Sequence, residues 1–197
     1  MLALLTRAIA TRDPYTRGHC VRVTELAERV ARRLGWDEER LAGLRLGGAL
    51  HDVGKLSIAP GVLEKAGPLT ETERALVRRH PAVGAELLAP IPEARPALPY
   101  VLYHHERWDG GGYPTGCGGT EIPEGARLLA VADAFDAMTS DRPYRAAMPH
   151  AEALRELVRC SGSQFDPALT GAFLRVWGET SVALRGTTTL RASSASA

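Results

Sequence analysis

Apolar residues recur every three or four positions along most of this chain, which is the spacing of one face of an α-helix. The clearest stretch runs from His19 to Leu34, and its apolar positions are Val23, Leu26, Ala27, Val30, Ala31 and Leu34. Gly35 is of a residue type that ends helices, and Asp37 is of a type that begins them. The pattern therefore predicts one helix up to Leu34 and a second from Asp37 to Leu50.

Further helix signals continue along the chain. Thr70 and Glu73 have the spacing of a capping box, which predicts a helix that reaches toward His80, and Pro81 can begin a new helix through Leu88. Later helices are expected from about Tyr100 and over Gly125–Thr139, Pro149–Cys160 and Pro167–Trp177. Only short, interrupted stretches near the C-terminus alternate as a strand would. The predicted fold class is therefore all-α.

Length and composition fit one domain. With 197 residues, 45% of them hydrophobic, the chain can bury a sizeable core without disulfides or a structural metal. Residues 1–180 are therefore predicted to form a single domain. From 181 to 197 the sequence is small and polar, which predicts a poorly ordered C-terminal tail.

The charge pattern argues against several classes of partner. The formal net charge is +1, which gives no reason to expect a nucleic-acid polymer or an anionic membrane. Arg7 and Arg12 interrupt the apolar N-terminus before it is long enough for a signal peptide or a membrane span. The cysteines, Cys20, Cys117 and Cys160, are far apart and have no C-x-x-C spacing, which is typical of reduced thiols. We therefore expect a cytoplasmic protein.

The histidines indicate the chemistry. His51 and Asp52 are adjacent near the end of a helix of apolar and small residues, where an isolated carboxylate needs a cation or several hydrogen-bond donors. Residues that can bind a divalent cation recur across the predicted helices: His19, His51, Asp52, His80, His104, His105 and Asp133. A mixture of imidazole and carboxylate favours iron, manganese or zinc over calcium or magnesium. The set is large enough for two ions.

Two motifs resemble those of a known family. HDVGK at 51–55 and HHERWDGGGYP at 104–114 are similar to the signatures of the HD-GYP family, a branch of the HD metal-dependent phosphohydrolase superfamily. The similarity extends over RDPYTRGH at 12–19, LTETE at 69–73 and ARLLAVADAFDAMTSDRPYR at 126–145, and it covers about residues 5–175. The resemblance implies an HD-type helical bundle with a metal centre in its core and a Gly-rich GYP loop.

The resemblance also implies an activity and a set of site residues. Members of the family hydrolyse cyclic di-GMP to the linear dinucleotide, and often to GMP, at a centre of two or three iron or manganese ions. The ligand candidates given above match the metal ligands of the family, with Asp52 as the bridging carboxylate. The positions that match contacts to the cyclic dinucleotide are Lys55, Tyr113, Asp136, Arg142 and Arg145.

Spacing and charge support several of these roles. Lys55 lies about one helical turn after the His–Asp pair, so its ammonium can share their face and bind a phosphate beside the metals. Arg142 and Arg145 are three residues apart and carry guanidinium groups, which bind phosphate oxygens in pairs. Gly112 and its neighbouring glycines let the backbone approach a ligand, and Tyr113 offers a ring and a hydroxyl.

The expected reaction is metal-assisted hydrolysis. A hydroxide is expected to bridge two cations about 3.5–4 Å apart and to attack the phosphodiester in line. Asp52 would hold the cations, and Lys55 would help to neutralise the charge that develops on the phosphate. These two residues are the catalytic candidates.

We expect two ions per chain and not three. Some members of the family place a carboxylate one helical turn before the first ligand histidine, where it supports an additional ion. That position is Tyr15, whose phenol is a poor ligand at neutral pH. Asp13 lies beyond Pro14 and is expected to point away from the same helical face.

Two other functions fit the same residues. The metal set alone also fits a hydrolase of another nucleotide or cyclic dinucleotide, and the GGGYP segment with Arg142 and Arg145 is what favours cyclic di-GMP. A non-catalytic module that senses cyclic di-GMP or docks onto a GGDEF-type protein is disfavoured because every ligand position is filled. The sequence itself contains no sensor or receiver domain, so such a regulator is expected as a separate protein or in a longer chain. The oligomeric state is left open.

Overall fold

A computed structural model of the protein describes residues 14–141 and 146–178 together with residues 2, 4, 5 and 8, and it describes the side chains of the first helix from Gly18 onward. The helices of this part of the chain are α1 Pro14–Arg33, α2 Glu38–Leu50, α3 Pro60–Leu63, α4 Glu71–Arg78, α5 His80–Leu88, α6 Leu98–Tyr103, α7 Glu124–Thr139, α8 His150–Arg159 and α9 167–178. Short 3₁₀ turns lie between them at Val53–Ser57, Pro92–Ala97 and Gly119–Glu121.

Local signals set the ends of the helices as the sequence predicts. Gly35 follows α1 with a φ of 77°, a conformation that glycine adopts without strain. Asp37 caps α2 because its side chain accepts a hydrogen bond from the backbone N–H of Arg40 at 2.8 Å. Thr70 and Glu73 form the reciprocal capping box at the start of α4.

The prediction of an all-α fold is confirmed. The described residues contain one isolated bridge, between Ser161 and Phe165, and no strand. In the part of the chain that the structure covers, every helix is too short or too polar to cross a bilayer. The predicted tail at 181–197 lies outside the described residues, and the single domain predicted over 1–180 stays a prediction.

The main layer of the fold is formed by α1, which packs on both α2 and α7. Their inward side chains and those of α8 and α9 form the larger buried apolar cluster, which includes Val23, Val30, Leu44, Leu129, Phe135, Leu157 and Phe173. The same three helices position ligand candidates, with His19 on α1, His51 directly after α2 and Asp133 on α7. Packing of apolar faces therefore brings these polar groups together.

Glycines allow the helices to approach closely around Tyr100. The ring of Tyr100, on α6, lies between Gly47 of α2 and Gly125 of α7, and a Cβ at either glycine would overlap the ring. Close packing at this point brings the end of α6 near α2 and α7. The His104–His105 pair directly follows α6, so the pair is held beside both helices.

A second close contact positions the turn that follows α2. The Val53–Ser57 turn packs on α5 through a smaller apolar cluster that includes Leu50, Val53, Leu88 and Val101. Gly54 lies so close to α5 that a Cβ would overlap the carbonyl oxygen of His80. The missing side chain at Gly54 therefore lets Asp52 lie beside His80.

We expect Gly54→Ala to destabilise the fold by more than about 2 kcal/mol, because backbone atoms would have to move apart. Gly61→Ala on the neighbouring α3 is a matched control, since a Cβ there meets no atom within 4 Å. The control should change stability by less than about 1 kcal/mol. Urea unfolding of both metal-free variants measures the difference, and equal midpoints would contradict the expectation.

Candidate metal centre

The ligand candidates converge where α1, α2, α5, α7 and the end of α6 meet. Among the described residues, their donor atoms form two groups, and within each group the atoms all lie within 4.8 Å of one another. The groups are Asp52, His80, His104 and His105, and His19, His51 and Asp133. The structure therefore brings together every ligand that the sequence predicts. Metal binding by the individual residues stays a prediction.

Backbone carbonyls fix the orientation of three of the imidazole rings. The Nδ1 atoms of His51, His80 and His104 lie 2.8, 2.7 and 2.9 Å from the carbonyl oxygen of the residue three positions earlier. A carbonyl oxygen can only accept, so each Nδ1 donates its hydrogen. In a neutral ring Nε2 then carries the lone pair, and this atom faces the centre.

Two of these lone pairs face each other beside a carboxylate. The Nε2 atoms of His80 and His104 are 3.2 Å apart, and Asp52 Oδ1 lies 3.3 Å from the first and 4.0 Å from the second. A metal ion among the three atoms would accept their lone pairs, and nitrogen and oxygen donors of this kind suit a transition-metal ion. The residues fit the predicted metal centre.

Asp52 lies between the two groups of ligands. Its Oδ1 faces His80, whereas its Oδ2 lies 3.5 Å from His51 Nε2 and 2.6 Å from the ammonium of Lys55. Only 2% of the residue's surface is exposed. A carboxylate that directs one oxygen toward each group is placed to bridge two ions.

Electrostatics keep most of the centre in the protonation state that binds metal. Burial lowers the pKa of His105 to about 4, and it also lowers the pKa values of His51 and His104. Burial alone would raise the pKa of Asp52, but Lys55, His51 and His80 hold it well below its usual range. At neutral pH these rings are neutral and this carboxylate is charged, so protons do not block the ligand atoms.

His19 differs from the other rings because carboxylates flank both of its nitrogens. Its Nδ1 lies 2.7 Å from Asp136 Oδ2, and its Nε2 lies 3.0 Å from Asp133 Oδ1. Burial would lower the pKa of His19, but hydrogen bonds to the two carboxylates outweigh burial and raise the pKa to about 9. In the absence of metal, His19 is therefore an imidazolium at neutral pH.

Asp136 orients His19 from outside the cluster. Its carboxylate is buried and also accepts from Arg22, whose Nε lies 2.5 Å from Oδ1 and whose terminal nitrogen lies 3.0 Å from Oδ2. When the His19 ring is neutral and its Nδ1–H donates a hydrogen bond to Asp136, the Nε2 lone pair is directed toward the other ligand candidates. Sequence reasoning missed Arg22, although it lies one helical turn after His19 and that spacing was a usable signal.

A cavity of about 220 Å³ adjoins the centre. Its lining residues come from the end of α4, from the histidine pair and the Gly-rich loop after it, and from α7. They include Arg78, His104, His105, Arg107, Gly111, Gly112, Tyr113 and Asp133. The Tyr113 ring lies against the His105 ring, with centroids 4.9 Å apart. The cavity therefore joins the metal centre to an aromatic surface.

The Gly-rich loop is held in place by Glu106, which sequence reasoning also missed. This buried carboxylate accepts hydrogen bonds from the backbone N–H of Thr115 at 2.6 Å, from its hydroxyl at 2.9 Å and from the N–H of Gly116. A Cβ at Gly112 would come within 2.5 Å of the Arg107 backbone nitrogen, so glycine is required there for close packing of the loop. An acidic residue directly after the histidine pair was the available signal.

The predicted substrate contacts lie in different places. Gly112 and Tyr113 line the cavity, and the Lys55 ammonium lies at the carboxylate of Asp52. Asp136 does not line the cavity and is 3% exposed, because the position one turn after Asp133 turns its carboxylate toward α1. Asp136 therefore contacts the His19 ring in this structure, and its predicted contact with substrate stays a prediction.

The remaining sequence expectations lie outside the described residues. They concern the phosphate contacts of Arg142 and Arg145, the position of Asp13 and the side chain of Tyr15. The count of two ions agrees with the two groups of donors around Asp52.

Known proteins with similar sequences include phosphodiesterases. The HD domain model matches residues 3–169. The cyclic di-GMP phosphodiesterase response regulator RpfG of Xanthomonas campestris pv. campestris is 43% identical over 176 residues, which cover 88% of this chain and 47% of that protein. The 3′3′-cGAMP-specific phosphodiesterase 3 of Vibrio cholerae is 36% identical over 161 residues, which cover 82% of this chain and 35% of that protein. The chain spans less than half the length of both relatives.

A solved structure supports the architecture. The HD domain of the L. monocytogenes phosphodiesterase PgpH superposes with a TM-score of 0.66 at 18% identity, and the match covers 92% of this chain and 98% of that chain. At this level of identity the similarity shows a shared fold. The prediction of an HD-type helical bundle is confirmed.

Asp52→Asn should reduce bound metal from about two ions to less than about one per chain, because its two oxygens face both donor groups. The far-UV circular dichroism should change little, since the core is large enough to form without the ions. Asp109→Asn, in an exposed Arg107 ion pair, is the control and should retain its metal. Elemental analysis after reconstitution with Mn²⁺ measures the number of ions per chain. Full metal content in Asp52→Asn would contradict the bridging role.

In metal-free protein the His19 ring should titrate near pH 9, and Asp136→Asn should lower that pKa. Because the folded-state pKa lies above the unfolded value of about 6.5, this group stabilises the fold below pH 6.5, and the contribution is lost as the pH rises through 9. Histidine ring NMR, assigned with His19→Gln, measures the titration. A midpoint near 6.5 in the wild-type protein would show that the two carboxylates do not act on the ring as described.

Proposed function

Since the chain belongs to the HD domain family, we propose that it is a metal-dependent phosphodiesterase that hydrolyses cyclic di-GMP to the linear dinucleotide. The observation that carries this proposal is the pair of donor groups around Asp52, which adjoin a cavity lined by Tyr113. The similarity to RpfG, at 43% identity over 88% of this chain, supports the choice of substrate.

The donor residues are proposed to hold the ions, and the ions are proposed to act on the substrate. Two divalent ions, when bound, would activate a water molecule and neutralise charge on the attacked phosphate. Asp52 would hold both ions, while the backbone carbonyls behind His51, His80 and His104 keep the lone pairs of these rings directed inward. We propose iron or manganese as the metal, in agreement with the nitrogen and oxygen donors.

Lys55 is proposed to stabilise the developing charge. Burial would lower the pKa of this lysine, but the charge of Asp52 raises it above its usual value, so the ammonium stays charged. The ammonium lies 2.6 Å from Asp52 Oδ2 and is therefore fixed beside the position of the ions. A fixed positive charge at that point lowers the energy of a more negative transition state.

Tyr113 and the arginines are proposed to hold the cyclic dinucleotide. Burial raises the pKa of Tyr113 to about 12, so its hydroxyl stays protonated and can donate a hydrogen bond. The ring offers a surface on which a guanine base can stack. Arg142 and Arg145 are proposed to bind phosphate oxygens, and this role rests on the similarity of the motif. Further hydrolysis to GMP belongs to the same proposal.

A second candidate substrate is 3′3′-cGAMP, because a relative that is 36% identical is specific for it. A purely sensing role is less well supported, since all the predicted ligands are present and converge. We propose that regulation comes from a sensor, receiver or GGDEF-type protein outside this sequence. The response regulator RpfG, which is about twice as long as the matched segment, is consistent with such a regulator.

Protein loaded anaerobically with Fe²⁺ or with Mn²⁺ should convert cyclic di-GMP to the linear dinucleotide faster than it converts 3′3′-cGAMP. Separation of the products by liquid chromatography measures both rates. Loaded protein that cleaves only 3′3′-cGAMP would favour the second candidate. Loaded protein that binds cyclic di-GMP without any cleavage would favour the sensing role.

Lys55→Met should lower kcat/KM for cyclic di-GMP by about 10- to 100-fold, because a charge-assisted contact is lost. Lys65→Met is the matched control, since Lys65 pairs with Glu73 and does not line the cavity. Steady-state kinetics at equal metal content compares the two variants. If kcat/KM of Lys65→Met falls as much as that of Lys55→Met, the proposed specific role of Lys55 is wrong.

A further inference from the structure

Arg78 lies at the cavity although no sequence motif drew attention to it. It is the last residue of α4, and only Arg79 separates it from His80 at the start of α5. Its side chain lines the cavity together with His104, His105, Tyr113 and Asp133, and so borders the space next to the proposed metal centre. This placement makes Arg78 a candidate for contact with whatever fills the cavity.

The charge of Arg78 is available to a ligand. Among the described residues, two arginines line the cavity, and Arg107 is neutralised by Asp109 through hydrogen bonds of 2.9 and 2.6 Å. Arg78 forms no ion pair with a carboxylate of the described residues. Its guanidinium instead lies over the Tyr113 ring, 5.1 Å from the centroid. A cation held in this way keeps its hydrogen-bond donors for an anion.

A cyclic dinucleotide needs a second anion site. It carries two phosphodiester groups, and only one can be attacked at the metal centre at a time. The other remains charged and has to be bound inside the same cavity or left in water. Lys55 lies at Asp52 and so serves the attacked group, whereas Arg78 lies on the Tyr113 side. A guanidinium suits the oxygens of a phosphodiester because it can donate two parallel hydrogen bonds.

We propose that Arg78 binds the second, unreacting phosphodiester of the substrate and so favours cyclic dinucleotides over substrates with a single phosphate. This inference rests on the proposed function and adds a substrate contact to it. The stacking on Tyr113 holds the guanidinium in place before the substrate arrives, which lowers the entropy cost of binding.

Arg78→Gln tests the proposal with two substrates. For cyclic di-GMP, kcat/KM should fall by about 10- to 100-fold, mainly through a higher KM, whereas hydrolysis of bis(p-nitrophenyl) phosphate, which has one phosphate, should stay within about twofold. Arg78→Lys should recover part of the loss, because it restores the charge without the paired donors. Metal content per chain is measured for each variant and should equal that of the wild type.

Arg74→Gln is the matched control. Arg74 lies one helical turn earlier on α4, contacts Glu71 and does not line the cavity, so this variant should behave as the wild type. In a Tyr113→Ala background, Arg78→Gln should still reduce the cyclic di-GMP rate. If the effect disappears there, Arg78 acts only by positioning Tyr113, and the proposed contact is wrong.

The outcomes separate this inference from the proposed function. Equal losses on both substrates, or a loss of metal in Arg78→Gln, would place Arg78 in support of the centre and overturn the inference. Wild-type kinetics in Arg78→Gln would overturn it as well while leaving the phosphodiesterase activity intact. Wild-type protein that is fully loaded with metal and cleaves bis(p-nitrophenyl) phosphate but no cyclic dinucleotide would overturn the proposed function and this inference with it.

Discussion

The buried carboxylate of Asp52 lies among imidazole rings whose Nε2 lone pairs point toward it, and the rest of the structure is arranged around that contact. Opposed lone pairs beside a negative charge, with almost no access to water, repel one another unless positive charge lies between them. A metal ion supplies such charge. The close approach at Gly54 matters for the same reason, because it holds Asp52 against α5 and thus beside His80.

Support for the centre comes from groups that do not belong to the two donor groups. Backbone carbonyls hold three of the rings, whereas His19 depends on the buried side chain of Asp136 and, through it, on Arg22. Glu106 holds the Gly-rich loop in a similar way, since it accepts hydrogen bonds from Thr115 and Gly116 of that loop. The donor geometry is therefore fixed before any ligand binds, which reduces the reorganisation that catalysis would require.

The positively charged side chains of the described residues around the site differ in whether a carboxylate already neutralises them. Lys55 is paired with Asp52 and Arg107 with Asp109, so both are held at fixed points. Arg78 is held by an aromatic ring, which leaves its hydrogen-bond donors available. The chain has a net charge of only +1, but the site can still be locally positive because Arg78 is not paired with a carboxylate of the described residues.

The sequence by itself indicated most helices of the described residues and the residues that form the two donor groups. Asp37, Thr70 and Glu73 act within a few residues, so their effect on helix ends is visible in the local pattern. The HD and GYP motifs likewise indicate several of the donor residues, because these residues are neighbours in the sequence. Only the tertiary structure decided the contacts of Asp136 with His19, 117 residues away, and of Arg78 with Tyr113. Such contacts depend on which helix faces pack together, and that is set by the whole core and not by any local spacing.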